Sequence, residues 1–210
     1  KVWNDKEDQD GKRPGSVTVK LLADKVDTGK TLELNSTNQW KGSFEDLDEY
    51  KGGKKIEYTL EEVTVPGYTT SITKSSNGYV VTNSHTPETT EVSGKKTWND
   101  KEDQDGKRPK EITINLYADG VKKDSKKVTA SENWSWKFDN LAKYAKGQLI
   151  NYTITEDVVK DYTSDVSGYN VTNTYTPGKT SVPVEKVWND KEDQDGKRPG
   201  SVTVKLLADK

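Results

Sequence analysis

The chain has 210 residues and a net charge of −2, from 33 Lys and Arg against 35 Asp and Glu, with 32% charged residues, 29% hydrophobic residues and no Cys. Without cysteine there is no disulfide and no thiolate metal centre, and the mixing of Lys with Asp and Glu, with no basic stripe, argues against nucleic acid and an anionic membrane surface. No apolar run approaches transmembrane length and no signal peptide is recognisable, so no membrane insertion is expected of this stretch.

Lys1 to Lys25 recurs letter for letter as Lys186 to Lys210, and WNDKEDQDGKRP opens at Trp3, Trp98 and Trp188. Spacings of 95 residues (Trp3 to Trp98) and 90 residues (Trp98 to Trp188) set a repeat of about 90, the size of one small domain. The chain therefore reads as part of a longer tandem array, an organisation that serves length or multivalency more than single-site chemistry.

The first repeat is placed at 1–87. It opens with Lys1 and Trp3 and continues into the acidic loop Asn4 to Gly11. An EF-hand would need ligands where Lys6 and Val17 stand, so the loop reads as a solvated turn with no metal. Val17, Val19 and Leu21 then alternate along a half-buried strand, as do Ile56, Tyr58, Leu60 and Glu62 along a later one, and Tyr79, Val81 and Asn83 along the last. The lone His85, near the junction, is too little for a zinc or nucleophile–base site. A Pro-stiffened linker is placed at 88–91.

The second repeat is placed at 92–177. Its predicted strands are Val92 to Asn99, Glu111 to Tyr117, Asn133 to Phe138, Leu149 to Glu156, a weaker Tyr162 to Val166, and Tyr169 to Tyr175, with a turn at Ala118-Asp119-Gly120. Trp134 and Trp136 share the register of Phe138 and read as core rather than a sugar platform. Leu141 to Lys146 supports at most one short helical turn. A second linker covers 178–183, and 184–210 begins a third, incomplete repeat. That segment has two predicted strands but too few apolar residues for a core, and it admits strand exchange through 184–210 with a neighbouring chain. About seven short strands per unit and no convincing helix predict an all-β chain of tandem Greek-key β-sandwich domains, immunoglobulin-like or prealbumin-like.

Alternation also says which polar residues face inward. Lys96 shares a face with Val92, Gly94 and Trp98; Glu156 with Ile150, Tyr152 and Ile154; Asn173 with Tyr169, Val171 and Tyr175. Lys1, Glu62 and Asn83 repeat the pattern in the first unit. Burying such groups without compensation costs several kcal/mol. One reading is a salt bridge capping the core beside a hydrogen-bonded Asn. The other is a reaction: desolvation makes the Lys a neutral nucleophile and the Glu a proton donor, the amine attacks the Asn carboxamide, and ammonia leaves.

The combination K-x-W-N-D, Q-D-G-K-R-P, Y-T-x-x-E and V-T-N-x-x-T-P resembles the B-type (Cna B-like) repeat family of Gram-positive surface adhesins and pilins. The resemblance covers both full repeats and the partial third. It implies a spontaneous isopeptide bond joining Lys96 to Asn173, assisted by Glu156, and one joining Lys1 to Asn83, assisted by Glu62. Lys186 is an equivalent without partners. The first repeat lacks a lead-in matching Glu91 to Lys95, which puts the anchoring of its first strand in question.

The family further implies a structural stalk or spacer that is not an enzyme beyond one autocatalytic turnover. It has no cofactor, is packed against neighbouring repeats, and lies outside the cell, anchored to the bacterial cell wall. A host matrix ligand would bind elsewhere in the full protein. The alternative is that the repeats themselves bind a host matrix protein or glycan.

Overall fold

The computed structural model describes residues 1–209, which fall into two compact units, Lys1–Thr176 and the segment from Pro177 onward. In the first repeat the strands are β1 (Val2–Asn4), β2 (Ser16–Ala23), β3 (Val26–Asn35), β4 (Tyr50–Lys51), β5 (Lys54–Lys55), β6 (Tyr58–Glu62), β7 (Thr69–Ser75) and β8 (Gly78–Ser84). In the second they are β9 (Thr89–Asn99), β10 (Glu111–Ala118), β11 (Val121–Thr129), β12 (Ser135–Ala142), β13 (Tyr144–Ala145), β14 (Gln148–Leu149), β15 (Tyr152–Glu156), β16 (Thr163–Ser167) and β17 (Asn170–Thr174).

The second repeat is a sandwich of a four-stranded sheet, β12-β9-β17-β16, on a three-stranded one, β11-β10-β15. Val92, Trp136, Phe138 and Val171 project from the first sheet, and Ile112, Ile114, Leu116, Val128 and Ile154 from the second, into one core. Period-two alternation puts these residues on the inner faces, and their burial supplies the driving force. The first and last strands, β9 and β17, run parallel side by side, with Val171 opposite Lys96 and Asn173 opposite Trp98. That neighbour relation brings the ends of the repeat together.

The first repeat has the same plan in reduced form, β1-β8-β7 against β3-β2-β6, around Val17, Val19, Leu34, Val65 and Val81. In the second repeat the Thr89–Lys95 half of β9 pairs with β12. The first repeat has no counterpart to those residues in this chain, and its residues 36–49 form no strand. An open cleft of about 490 Å³, lined by Leu21, Leu34, Phe44, Leu60 and Val81, lies there.

Several expectations are corrected. The nine-residue β11 was not anticipated, because its charged, exposed sequence (VKKDSKKVT) carries no alternation; it is an edge strand held by β10. Helix, the poorer reading of Leu141 to Lys146, does not form there: β12 runs to Ala142, and β13 pairs with β14 in a short hairpin. Trp136 and Phe138 are buried in the core and Trp134 packs against it, as expected; the difference is that Trp134 precedes β12, at φ 54°, where it meets Trp98 edge-on. The two strands expected in 184–210 are absent among the described residues of that unit, where Val202, Val204, Leu206 and Leu207 are exposed. Short strands need a partner sheet and a core, and this segment has neither.

Candidate functional site

Parallel pairing of β9 with β17, and of β10 with the antiparallel β15, aims three polar side chains into one end of the second repeat's core. The Lys96 and Glu156 side chains are 0% and 1% exposed, and Lys96 Nζ donates to Glu156 Oε1 at 2.5 Å. Ser164 Oγ donates to the other carboxylate oxygen at 2.9 Å. Asn173 is fully buried on the same face of β17 as Val171, and neither its amide oxygen nor its amide nitrogen has a hydrogen-bond partner. Lys96 Nζ also lies 4.7 Å from the centre of the Trp98 ring, which itself packs against Trp134 and Tyr162. This aromatic cluster covers the ammonium. Burial pulls the Lys96 pKa below the ordinary lysine value, against the opposing pull of Glu156.

The first repeat places Lys1, Glu62 and Asn83 in the same way. Lys1 Nζ donates to Glu62 Oε1 at 2.7 Å with both side chains fully buried, and it sits 4.7 Å from the Trp3 ring. Burial again lowers the lysine pKa. Here Thr70 Oγ1 stands 2.6 Å from Glu62 Oε2 and 3.1 Å from Asn83 Oδ1, two acceptors that share its single proton, while the Asn83 amide nitrogen has no partner. The Lys1 α-amino group donates to the Trp40 carbonyl at 2.9 Å, as the Lys96 backbone N–H does to Trp134 at 2.7 Å. The first strand is thus held in the same register in both repeats.

Lys186 is exposed and donates to the neighbouring Val187 carbonyl, and among the described residues it has no buried Glu and Asn arranged as Glu62 and Asn83 are around Lys1. Thr70 and Ser164 were missed in the sequence because they are ordinary polar residues on thinly patterned strands. Each stands eight residues after its Glu, a recurring offset that marks them.

The acidic loop is also more than a solvated turn. Asp5 and Asp100 are 2% and 1% exposed, and each accepts two bonds from an arginine guanidinium: Arg13 Nε and Nη2 at 3.0 and 2.6 Å, and Arg108 at the same two distances. Tyr68 and Tyr162 hydroxyls donate to the same carboxylates at 2.9 Å. Arg108, against the cost of burial, holds the Asp100 carboxyl down at about 2. The signal was the spacing Asp5–Arg13, Asp100–Arg108 and Asp190–Arg198; the last pair forms even in the segment that has no strands. No group of three or more His, Cys, Asp or Glu suited to a metal occurs among the described residues, and no helix among them is long and apolar enough to cross a membrane.

Fold and site together define a class: tandem β-sandwich repeats in which first and last strands lie side by side over a buried Lys, Glu and Asn. The chain belongs to the Cna protein B-type domain family, whose model matches residues 1–84, 92–174 and 182–210. It is 49% identical over 211 residues to a collagen adhesin of Staphylococcus aureus, matching along 100% of its own length and 18% of that protein's. It is also similar to the crystal structure of two B repeat units of the collagen binding protein of Staphylococcus aureus, with a TM-score of 0.79 and 49% identity over 94% of this chain and 53% of that one.

Proposed function

We propose that these repeats are the stalk of a bacterial surface adhesin, each closed by a spontaneous Lys–Asn isopeptide bond that lets the stalk bear tension. Its place is outside the cell, on a protein anchored to the cell wall by a segment elsewhere. The collagen named in the relative's description would be held by another region of the full protein. The observation that carries the reading is the buried Lys96–Glu156 pair at 2.5 Å beside an Asn173 amide with no hydrogen-bond partner. A buried orphan amide is costly and rare, and a bond that consumes it removes the cost.

The chemistry balances within the three residues. Glu156 takes a proton from the Lys96 ammonium, leaving a neutral amine and a carboxylic acid. The amine nitrogen attacks Asn173 Cγ, and the carbonyl π electrons move to Oδ1. The proton held by Glu156 passes to the amide nitrogen, the C–N bond breaks, and ammonia leaves. The tetrahedral nitrogen's surplus proton returns to Glu156, so the products are one secondary amide, one ammonia and a protonated Glu156. Lys1, Glu62 and Asn83 react likewise in the first repeat, where the Thr70 hydroxyl lies within hydrogen-bond reach of both the acid and the amide oxygen.

The bond closes a loop from Lys96 to Asn173, worth about 4 to 5 kcal/mol if the loop-entropy estimate for disulfides transfers. Tension entering β9 at Lys96 then leaves β17 at Asn173 without stretching the residues between. Pulling single molecules by their ends tests this. The second repeat should release no contour length from 97–172, and Lys96→Ala should release it. Release of that length by the unaltered chain would refute the load-bearing bond.

A further inference from the structure

The first repeat meets the second through a fitted joint. The loop after β1 ends in Gln9-Asp10-Gly11, and the Gln9 carbonyl accepts from the Gly147 N–H at 3.0 Å, in the turn between β13 and β14. Gly11 sits at φ 65°, and a Cβ placed there would lie 2.5 Å from Gly147 Cα. Two glycine backbones touch where a side chain does not fit. The connector is clamped as well: Glu88 accepts from Lys12 Nζ at 2.7 Å and from Lys143 Nζ at 2.8 Å, one lysine from each repeat.

His85 completes this joint in one protonation state. Its Nδ1 lies 2.8 Å from the Gly67 carbonyl oxygen, and its Nε2 lies 2.9 Å from Asp10 Oδ2. Both partners accept, and a neutral imidazole has one N–H, so only the imidazolium donates to both. The Asp10 side chain is 0% exposed, Oδ2 also receives the Glu88 backbone N–H at 2.8 Å, and Oδ1 has no hydrogen-bond partner, so the imidazolium is the counter-charge of a buried carboxylate. The other groups facing the ring are Tyr68, with ring centres 5.4 Å apart, and Lys12, whose charge opposes protonation.

The second repeat carries the same loop but has Tyr175 in the place of His85 and Gly178 in the place of Glu88. The Tyr175 hydroxyl donates to Asp105 Oδ2 at 2.9 Å, a bond whose donor keeps its proton across the neutral range.

We propose that the Gln9–Gly11 loop is a docking surface for the hairpin turn of the following repeat, pinned by His85, so that the two repeats hold one orientation while the imidazole is protonated and swing when it is not. The Asp10 bond raises the His85 pKa above its ordinary 6.5. A raised folded value means the contribution is complete below about pH 6.5 and is lost as pH rises through the folded value.

NMR on the whole chain tests this, following the His85 ring signals from about pH 5 to about pH 9 and fitting residual dipolar couplings of each repeat to its own alignment tensor. His85 should titrate above its ordinary value, with one shared tensor on the acid side and two diverging tensors on the basic side, and His85→Tyr should abolish the pH step. Gly11→Ala should separate the tensors at every pH. Gly106→Ala, at φ 63° with nothing within 4 Å of the added methyl, should leave them shared. Tensors that never change with pH, a change that does not follow the His85 titration, or identical behaviour of the two glycine variants would overturn the proposal.

Discussion

Lys96 and Glu156 face each other across the core end of the second repeat at 2.5 Å, one on the first strand of the repeat and the other on a strand of the opposite sheet, with no water-exposed surface on the lysine side chain. A charge pair so placed is weak evidence for stability in itself, since desolvating two ions costs about as much as their attraction returns. Its use lies in what it does to proton positions. Burial disfavours the ammonium and the close carboxylate offers its proton a destination, which is the condition for a nucleophilic lysine at neutral pH.

Glu156→Ala should therefore do two things at once. It leaves Lys96 buried without a partner, which costs the second repeat about 3 to 5 kcal/mol, and it stops crosslinking there, which removes the loop-closure contribution as well, while the first repeat still closes. Urea unfolding read by Trp fluorescence, with a denaturing gel of proteolysed samples, separates the two effects. Glu62→Ala should mirror this in the first repeat alone.

Thr70→Val removes the hydroxyl that ties Glu62 to Asn83. Glu62 Oε2 and Asn83 Oδ1 then lose the one hydroxyl proton within reach of both, costing about 1 to 3 kcal/mol. Crosslinking in the first repeat should also slow, measured as the time course of crosslinked peptide after refolding from denaturant. An unchanged time course would separate Thr70 from the chemistry.

Acid should loosen the second repeat through Asp100. Arg108, a backbone N–H and Tyr162 hold its carboxyl at about 2, below the ordinary 3.8. A depressed folded value stabilises above the unfolded pKa and is lost as pH falls through the folded one. The urea midpoint of the second repeat should drop between about pH 4 and about pH 2. In Asp100→Asn that step should vanish, with lower stability at neutral pH.

Gly94 is confined by packing, not by backbone conformation. A Cβ there would stand 1.7 Å from the Tyr169 carbonyl oxygen and 2.7 Å from the Trp136 ring. Gly94→Ala should destabilise the second repeat by at least about 1 to 3 kcal/mol, the usual range for overpacking, seen as a lowered thermal midpoint.

Much of this was readable in advance because the strands near the site alternate cleanly. Val92, Lys96 and Trp98, then Ile154 and Glu156, then Val171 and Asn173 fall on inner faces by period two alone, and the described structure buries Lys96 and Asn173 accordingly. The edge strand β11 was hidden because its solvent-facing lysines follow no period and its place is set by β10. The burial of Asp5 and Asp100 was hidden for another reason: a cluster of acids reads as a solvated turn until an arginine eight residues on folds back to neutralise one of them. The Gly11–Gly147 contact joins distant points in the sequence, and nothing local announces it.

An intact mass taken under denaturing conditions, with proteolysis to map the joined peptides, decides whether the repeats close covalently. Self-closing repeats predict a mass short of the sequence mass by two ammonias, with Lys96 joined to Asn173 and Lys1 to Asn83. A full sequence mass, with Lys96 and Asn173 recovered in separate peptides, would contradict it.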